Sequence, residues 1–356
     1  SLYEGKLYFK KIGGKIMLRI ILSPLLYLMM LLLAFILTFL IFDNSSFSIE
    51  GDHEYVFFLC IMAIAFLGFI FQYGISFNKI KHQDITPYGL NIMIIMIILS
   101  NVIEYALLGI PLLDNAVSYH TFGLPYVHHI SVTSWILVFA LKKQNPRTLN
   151  IFLVGFAFLN PILMQNRDIL LLTFYTTLVV LTINNKMSFL RLALSSFTIV
   201  FLFGVLGTIR SPTGLINALQ SLPLKISYDV DSIWFSLNWF LIYITGSIFN
   251  SLYLISGKGQ LYYEHINAVS EFTSWYLGYG LFGFLIFELF LIVLAFIMLQ
   301  ISIFKPKLIS LYVYINFQII MSLFSKKLFI TNTVFTIMFI FGLFIALHFF
   351  KKRTSQ

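Results

Sequence analysis

Long unbroken apolar stretches, separated by short polar breaks, run along almost the whole chain. Apolar runs of about 18 residues or more read as membrane-crossing helices, whereas the strands of a barrel would alternate apolar and polar positions. The runs predict spans near 20–42, 55–77, 88–108, 124–141, 148–164, 168–184, 189–209, 273–300, 308–324 and 328–350. Several match the ~20 residues that cross a bilayer core; the fourth to sixth and the ninth are short. No internal repeat, low-complexity tract or soluble domain interrupts them. The expectation is an all-α polytopic membrane protein, a single transmembrane domain over 1–356 with about ten transmembrane helices, or eleven. The first run has no small-residue cleavage site after it, so a cleavable leader is not expected.

Composition agrees. The chain is 59% hydrophobic and 10% charged, with a mean hydropathy of +0.92, against roughly 25% charged in a soluble domain. A soluble globular protein is excluded. The lone cysteine, Cys60, lies inside an apolar run and can support neither an internal disulfide nor a metal cluster.

Charge adds sidedness. The net charge of +9 comes from 23 Lys and Arg against 14 Asp and Glu. The N-terminal arm is basic (Lys6, Lys10, Lys11, Lys15, Arg19), and the next loop is acidic (Asp43, Glu50, Asp52, Glu54). Basic and acidic connections go on alternating, through Lys79 and Lys81, Lys142, Lys143 and Arg147, then Lys186 and Arg191. Basic loops stay cytoplasmic, so both termini are expected inside and the acidic loops outside. An eleventh span at 232–255 would carry the basic C-terminus, Lys351 to Arg353, outside. The stretch 210–272 is therefore read as one large external loop, its middle an interfacial or re-entrant helix pair broken at Gly246, with aromatic anchors at Trp234 and Trp239.

Most cations obey this map, and those that do not are informative: Arg167, Arg210, Lys225, Lys258, Lys326 and Lys327 fall on the outer side. Arg167 sits in the short turn Gln165-Asn166-Arg167-Asp168 and Arg210 closes the seventh span. Both are held at the membrane boundary, where a lipid phosphate lies, and the arginine fork suits bidentate phosphate binding. Lys326 and Lys327 are further phosphate candidates. Bases for proton transfer occur on the same face, with Glu264, His265 and His129 ahead of Glu104 and His128. Asp229-Val230-Asp231 matches the Asp-x-Asp of metal-dependent sugar transferases, but that pattern is too common to imply a metal. No zinc-ligand helix, Gly-rich phosphate loop or Gly-x-Ser-x-Gly elbow is present. A sugar transferase built on this chain would need a lipid-linked donor.

The large loop and the span after it resemble the Wzy-type oligosaccharide repeat-unit (O-antigen) polymerases. The residues that carry the likeness are Tyr243 to Asn250, then Asn267 to Phe284 with Gly280-Leu281-Phe282-Gly283. Gly109-Ile110-Pro111-Leu112-Leu113 leading to Gly123-Leu124-Pro125 is similar in pattern, as is Arg210 at the loop's opening. Gly278 stands where the family pattern leads one to expect an aspartate, so no such acid is carried over. The resemblance implies a GT-C-like membrane glycosyltransferase of the bacterial inner membrane that works on undecaprenyl-pyrophosphate-linked glycans as donor and acceptor. It would act on the periplasmic face, with no metal or other cofactor, no nucleic acid, and a Wzz-like chain-length regulator as a possible partner. It casts Arg210 and Arg167 as stabilisers of the departing pyrophosphate, and Tyr243, Asn250 and Trp239 as sugar contacts. An O-antigen ligase-like enzyme and a transporter or flippase of lipid-linked oligosaccharides are the competing expectations.

Overall fold

The computed structural model describes residues 20–42, 53–73, 90–114, 122–141, 145–184, 187–210, 224–225, 234–257, 269–325, 327–328 and 333–342. The described residues are helical almost throughout and contain no strand; one isolated antiparallel bridge joins Phe42 to Leu224. The helices are α1 (Leu25–Ile41), α2 (His53–Tyr73), α3 (Leu90–Leu108), α4 (Val127–Ser131, running on as the 3-10 helix Val132–Ala140), α5 (Arg147–Leu163), α6 (Arg167–Ile183), α7 (Phe189–Arg210), α8 (Trp234–Ile255), α9 (Glu271–Phe304), α10 (Ile309–Met321) and α11 (Thr333–Gly342). Among the described residues, four stretches are long and apolar enough to cross a membrane: Asn91–Leu108, Leu190–Gly207, Leu237–Ile255 and Glu271–Phe304. Helices suit hydrocarbon because they satisfy their own backbone hydrogen bonds. Large apolar side chains such as Phe66, Ile95, Leu107, Leu194 and Ile297 remain exposed on α2, α3, α7 and α9, as they would facing lipid. The molecule is a helical membrane protein.

Hydrogen bonds between elements fix which helix ends meet. The Leu112 N–H donates to the Leu163 carbonyl at the end of α5 (3.1 Å), and the Glu271 N–H opening α9 donates to the Ser322 carbonyl closing α10 (2.9 Å). The Leu124 N–H ahead of α4 donates to Glu104 near the end of α3 (2.9 Å). Lys327, just before α11, pairs with Asp168 at the start of α6. One face of the bundle thus collects the C-terminal ends of α3, α5 and α10 with the N-terminal ends of α4, α6, α9 and α11.

Helix α8 departs from expectation. In place of a pair broken at Gly246 it is one continuous helix of 22 residues. A mid-helix glycine costs only about 1 kcal/mol, and burial of the surrounding turns outweighs it: Thr245, Ser247, Ile248 and Phe249 are all fully or nearly inaccessible. Its contacts place it across the collected helix ends. Tyr243 lies under Arg167, the first residue of α6. The Thr245 carbonyl accepts from Thr38 near the end of α1 (3.3 Å), and Phe249 stacks on Phe42 (4.2 Å). Ser247 donates to the Leu323 carbonyl beyond α10 (3.1 Å), and Ser251 accepts from the Ser270 N–H before α9 (3.0 Å). These partners sit at the ends of four different helices, while eight residues of α8 cover ~12 Å.

The deepest element is α10, in which every residue is buried. Its polar groups are tied off locally. Tyr312 donates to the Leu22 carbonyl (2.5 Å), and Asn316 donates to the Tyr175 hydroxyl (2.8 Å), which in turn donates to the Ile21 carbonyl (2.9 Å). Buried Glu288 in α9 accepts from Tyr27 of α1 (3.0 Å). A kink at Gly280 (φ 61°) divides α9, setting the turn that carries Glu271 at an angle to the long remainder.

Candidate active site

A cavity of about 110 Å³, its wall a mixture of polar and apolar side chains, opens between α4, α6, α10 and the start of α11. His128, Asp168, Lys327, Tyr314, Gln318 and Thr333 supply its functional groups.

The α6 wall is set by a tight turn. The Asn166 N–H donates to the Pro161 carbonyl (2.7 Å), and Gln165 takes a left-handed conformation (φ 53°). The Gln165 side chain donates to the Pro111 carbonyl (3.2 Å). Asn166 then caps α6, its side-chain oxygen accepting from the Ile169 N–H (3.1 Å). Arg167 and Asp168 follow on the first turn, pointing to different neighbours. Asp168 pairs with Lys327, and its charge pushes the Lys327 pKa above the ordinary lysine value, so this side chain is an ammonium at any pH the protein meets. The Lys327 and Leu328 N–H groups both donate to Glu271 Oε2 (3.2 and 3.1 Å), and the Thr333 hydroxyl donates to the Lys327 carbonyl (2.6 Å). The cation is anchored from three sides.

The Arg167 guanidinium lies over the rings of Phe203 (5.0 Å) and Tyr243 (4.9 Å), a cation–π clamp between α7 and α8. Beneath it is an apolar hollow of about 430 Å³. Its walls come from the start of α1, from α6, α7 and α10, and its roof from Phe240, Tyr243 and Ile244. Along α7 it runs from Leu192 to Phe203, ~16 Å of helix, and it reaches the surface at Ile20, which is 43% exposed.

Behind His128, and lining neither hollow itself, Glu104 is completely buried. It accepts from the Leu124 N–H (2.9 Å), from the Ser131 hydroxyl (2.5 Å) and from His128 Nδ1 (3.2 Å). The Ser131 carbonyl accepts from Asn160 (3.2 Å), whose side-chain oxygen accepts from Tyr105 (2.6 Å). This polar network ties α3, α4 and α5 at the point where α4 tightens into 3-10 geometry. Compared with family models, with curated proteins and with solved structures, the chain matches none.

The remaining sequence candidates fall in different places. Lys327 lines the cavity, whereas Arg167 lines neither the cavity nor the hollow and lies over Phe203 and Tyr243, which wall the hollow. His129 is turned away, its ring 4.5 Å from that of Phe335. Trp239 is buried; a Cβ added at Gly207 would lie 2.6 Å from its Nε1 and 3.4 Å from Arg167 Nη1. It packs beside Arg167 as Tyr243 packs under it. Asn250 is buried in α8 and lines neither the cavity nor the hollow. Arg210 closes α7, but its side chain lies outside the described residues, as do Glu264, His265 and Lys326. The pairings Asp168–Lys327 and Glu104–His128 were not foreseen; the sequence signal for the second was a glutamate inside an apolar run and a histidine at the next helix start.

Proposed function

We propose that the protein is a membrane glycosyltransferase that polymerises undecaprenyl-pyrophosphate-linked oligosaccharide repeat units on the periplasmic face of a bacterial inner membrane. The observation that carries this reading is an apolar hollow walled by Phe203 and Tyr243, the two rings under the Arg167 guanidinium, with the cavity lined by Asn166 and Asp168 on either side of Arg167 in the chain. A polyprenyl chain lying in the hollow sets its pyrophosphate at the Arg167 guanidinium and its first sugar toward Asp168, Lys327 and His128. Partial burial strengthens both cations as electrostatic partners for the charge that develops as the pyrophosphate leaves. The collected helix ends are those the charge pattern assigns to the outside, in keeping with about ten spans and cytoplasmic termini. A GT-C-like arrangement and a chain-length regulator belong to the same proposal.

The test is genetic and biochemical. Arg167→Ala is expected to abolish polymer in the host while membrane levels of the protein stay normal, leaving surface glycan of a single repeat on a gel. Full-length glycan from this variant refutes the pyrophosphate assignment. Deletion of the protein separates the classes: single-repeat glycan supports a polymerase. Polymer trapped on its carrier supports an O-antigen ligase-like enzyme, and cytoplasmic accumulation a flippase.

A further inference from the structure

A sugar hydroxyl attacks an anomeric carbon only as it gives up its proton, and a group within hydrogen-bond reach must take it. Among the described residues lining the cavity, the groups that titrate are His128, Asp168, Tyr314 and Lys327. Asp168 is engaged by the Lys327 ammonium, and Tyr314 and Lys327 carry their own protons. His129, next to the site on α4, packs on Phe335. Glu271 accepts the Lys327 and Leu328 amides.

His128 is arranged differently. Three donors converge on the Glu104 carboxylate and it accepts from each. A carboxylate facing Nδ1 holds the ring hydrogen there, which leaves the Nε2 lone pair for the cavity. The ring itself is fixed. Phe122 meets it edge-on at 5.8 Å, and Gly123 lies close against it: a Cβ there would fall 2.5 Å from His128 Cγ and 2.7 Å from Nδ1. Gly123 also has a φ of +128°, which only glycine adopts without strain. A carboxylate orienting an imidazole by Nδ1 is a general way to present the other nitrogen as a base.

We propose that His128 is the catalytic general base of the transfer and that Glu104 and Ser131 are its positioning residues; this rests on the polymerase reading above. The acceptor hydroxyl oxygen bonds to the anomeric carbon of the donor and its proton passes to His128 Nε2. The bond from that carbon to the phosphate oxygen breaks, and its electron pair leaves on the pyrophosphate beside Arg167 and Lys327. The imidazolium then returns its proton to water.

The experiment uses the full chain reconstituted in lipid nanodiscs with repeat units linked to undecaprenyl pyrophosphate, and records kcat and KM from mildly acidic to mildly alkaline pH. A base must be deprotonated to act, so wild-type kcat/KM should fall toward acidic pH. His128→Gln should lose ~10²–10⁴-fold in kcat with KM little changed, and its residual rate should no longer fall on the acidic side. Glu104→Gln should lower kcat less and move the acidic limb. Arg167→Ala should lose rate while keeping the limb. A wild type without an acidic limb overturns the assignment whether or not any variant folds, as does a His128→Gln protein within about tenfold of wild-type kcat. Should the wild type couple no repeat units at any pH, the polymerase reading itself fails and the base assignment goes with it. Coupling by wild type and His128→Gln alike removes only the base.

Discussion

Arg167 shows how little a residue's number reveals of its setting. The sequence marks it as a cation on the wrong side of the topological rule, and the neighbouring Asp168 offers itself as a partner. In the folded chain that acid is taken by Lys327, and Arg167 rests on Phe203 and Tyr243. Such a pairing across 159 positions leaves no local signal. The same holds for choosing His128 over His129: adjacent residues on a helix point about 100° apart, and nothing in the sequence sets the phase of a five-residue α-helix that passes into 3-10 geometry. Gly207 is the residue that lets Trp239 close against Arg167. Gly207→Ala should therefore cost ~1–3 kcal/mol through overpacking and lower polymer yield by shifting Arg167. Gly155, an exposed helical glycine with open space around its Cβ position, is the control: Gly155→Ala should be neutral or stabilising by up to ~1 kcal/mol. Thermal melts of both proteins in the same detergent check this, and equal destabilisation would remove the packing argument at Gly207.

Elements were legible where hydrophobic length alone decides. The ten apolar runs correspond to α1 to α7 and α9 to α11, because a continuous apolar stretch in a low-polarity setting has helix as its main way to satisfy the backbone. Orientation was not legible in the same way. Helix α8 has the length and apolarity of a span, yet its partners are the ends of other helices. Composition cannot distinguish a helix that crosses the bilayer from one that lies over the ends of others, since both are apolar throughout. The kink at Gly280 was equally silent, although the glycine is where the chain requires positive φ. The placing of α8 bears on topology, because a helix that lies across the ends of others, if it does not also cross the bilayer, would leave the direction of the three that follow unchanged. With Cys60 replaced by Ser, a Lys258→Cys protein should react with a membrane-impermeant maleimide in intact cells, and a Lys305→Cys protein only after permeabilisation. Protection at 258 together with labelling at 305 would mean that α8 crosses the membrane.

At the scale of the whole molecule, two hollows of different character, one apolar and one with polar groups in its wall, adjoin at α10. The apolar one is bounded by α1, α6, α7, α8 and α10, and the other by α4, α6 and α10 with the start of α11. Among the described residues α6 and α10 line both, with Phe317 and Met321 shared between them; Arg167, beside Asp168 in the chain, lies over two rings of the apolar wall. No single segment encodes this, and the sequence contributes only its cations and its apolar runs. A substrate with a long apolar chain, a charged linkage and a polar head fits the order in which these surfaces occur. That ordering predicts a dependence on chain length. Ser196 lies on α7 within the hollow and is not among the residues lining the cavity. Ser196→Phe adds a ring to the hollow without touching Arg167, Lys327 or His128. With a full-length polyprenyl carrier it should raise KM and leave kcat nearly unchanged, because only uniform binding is lost. With a short-chain carrier analogue, whose tail does not reach Ser196, wild type and variant should have the same KM. Equal effects on both substrates, or none on either, would show that the carrier chain lies elsewhere.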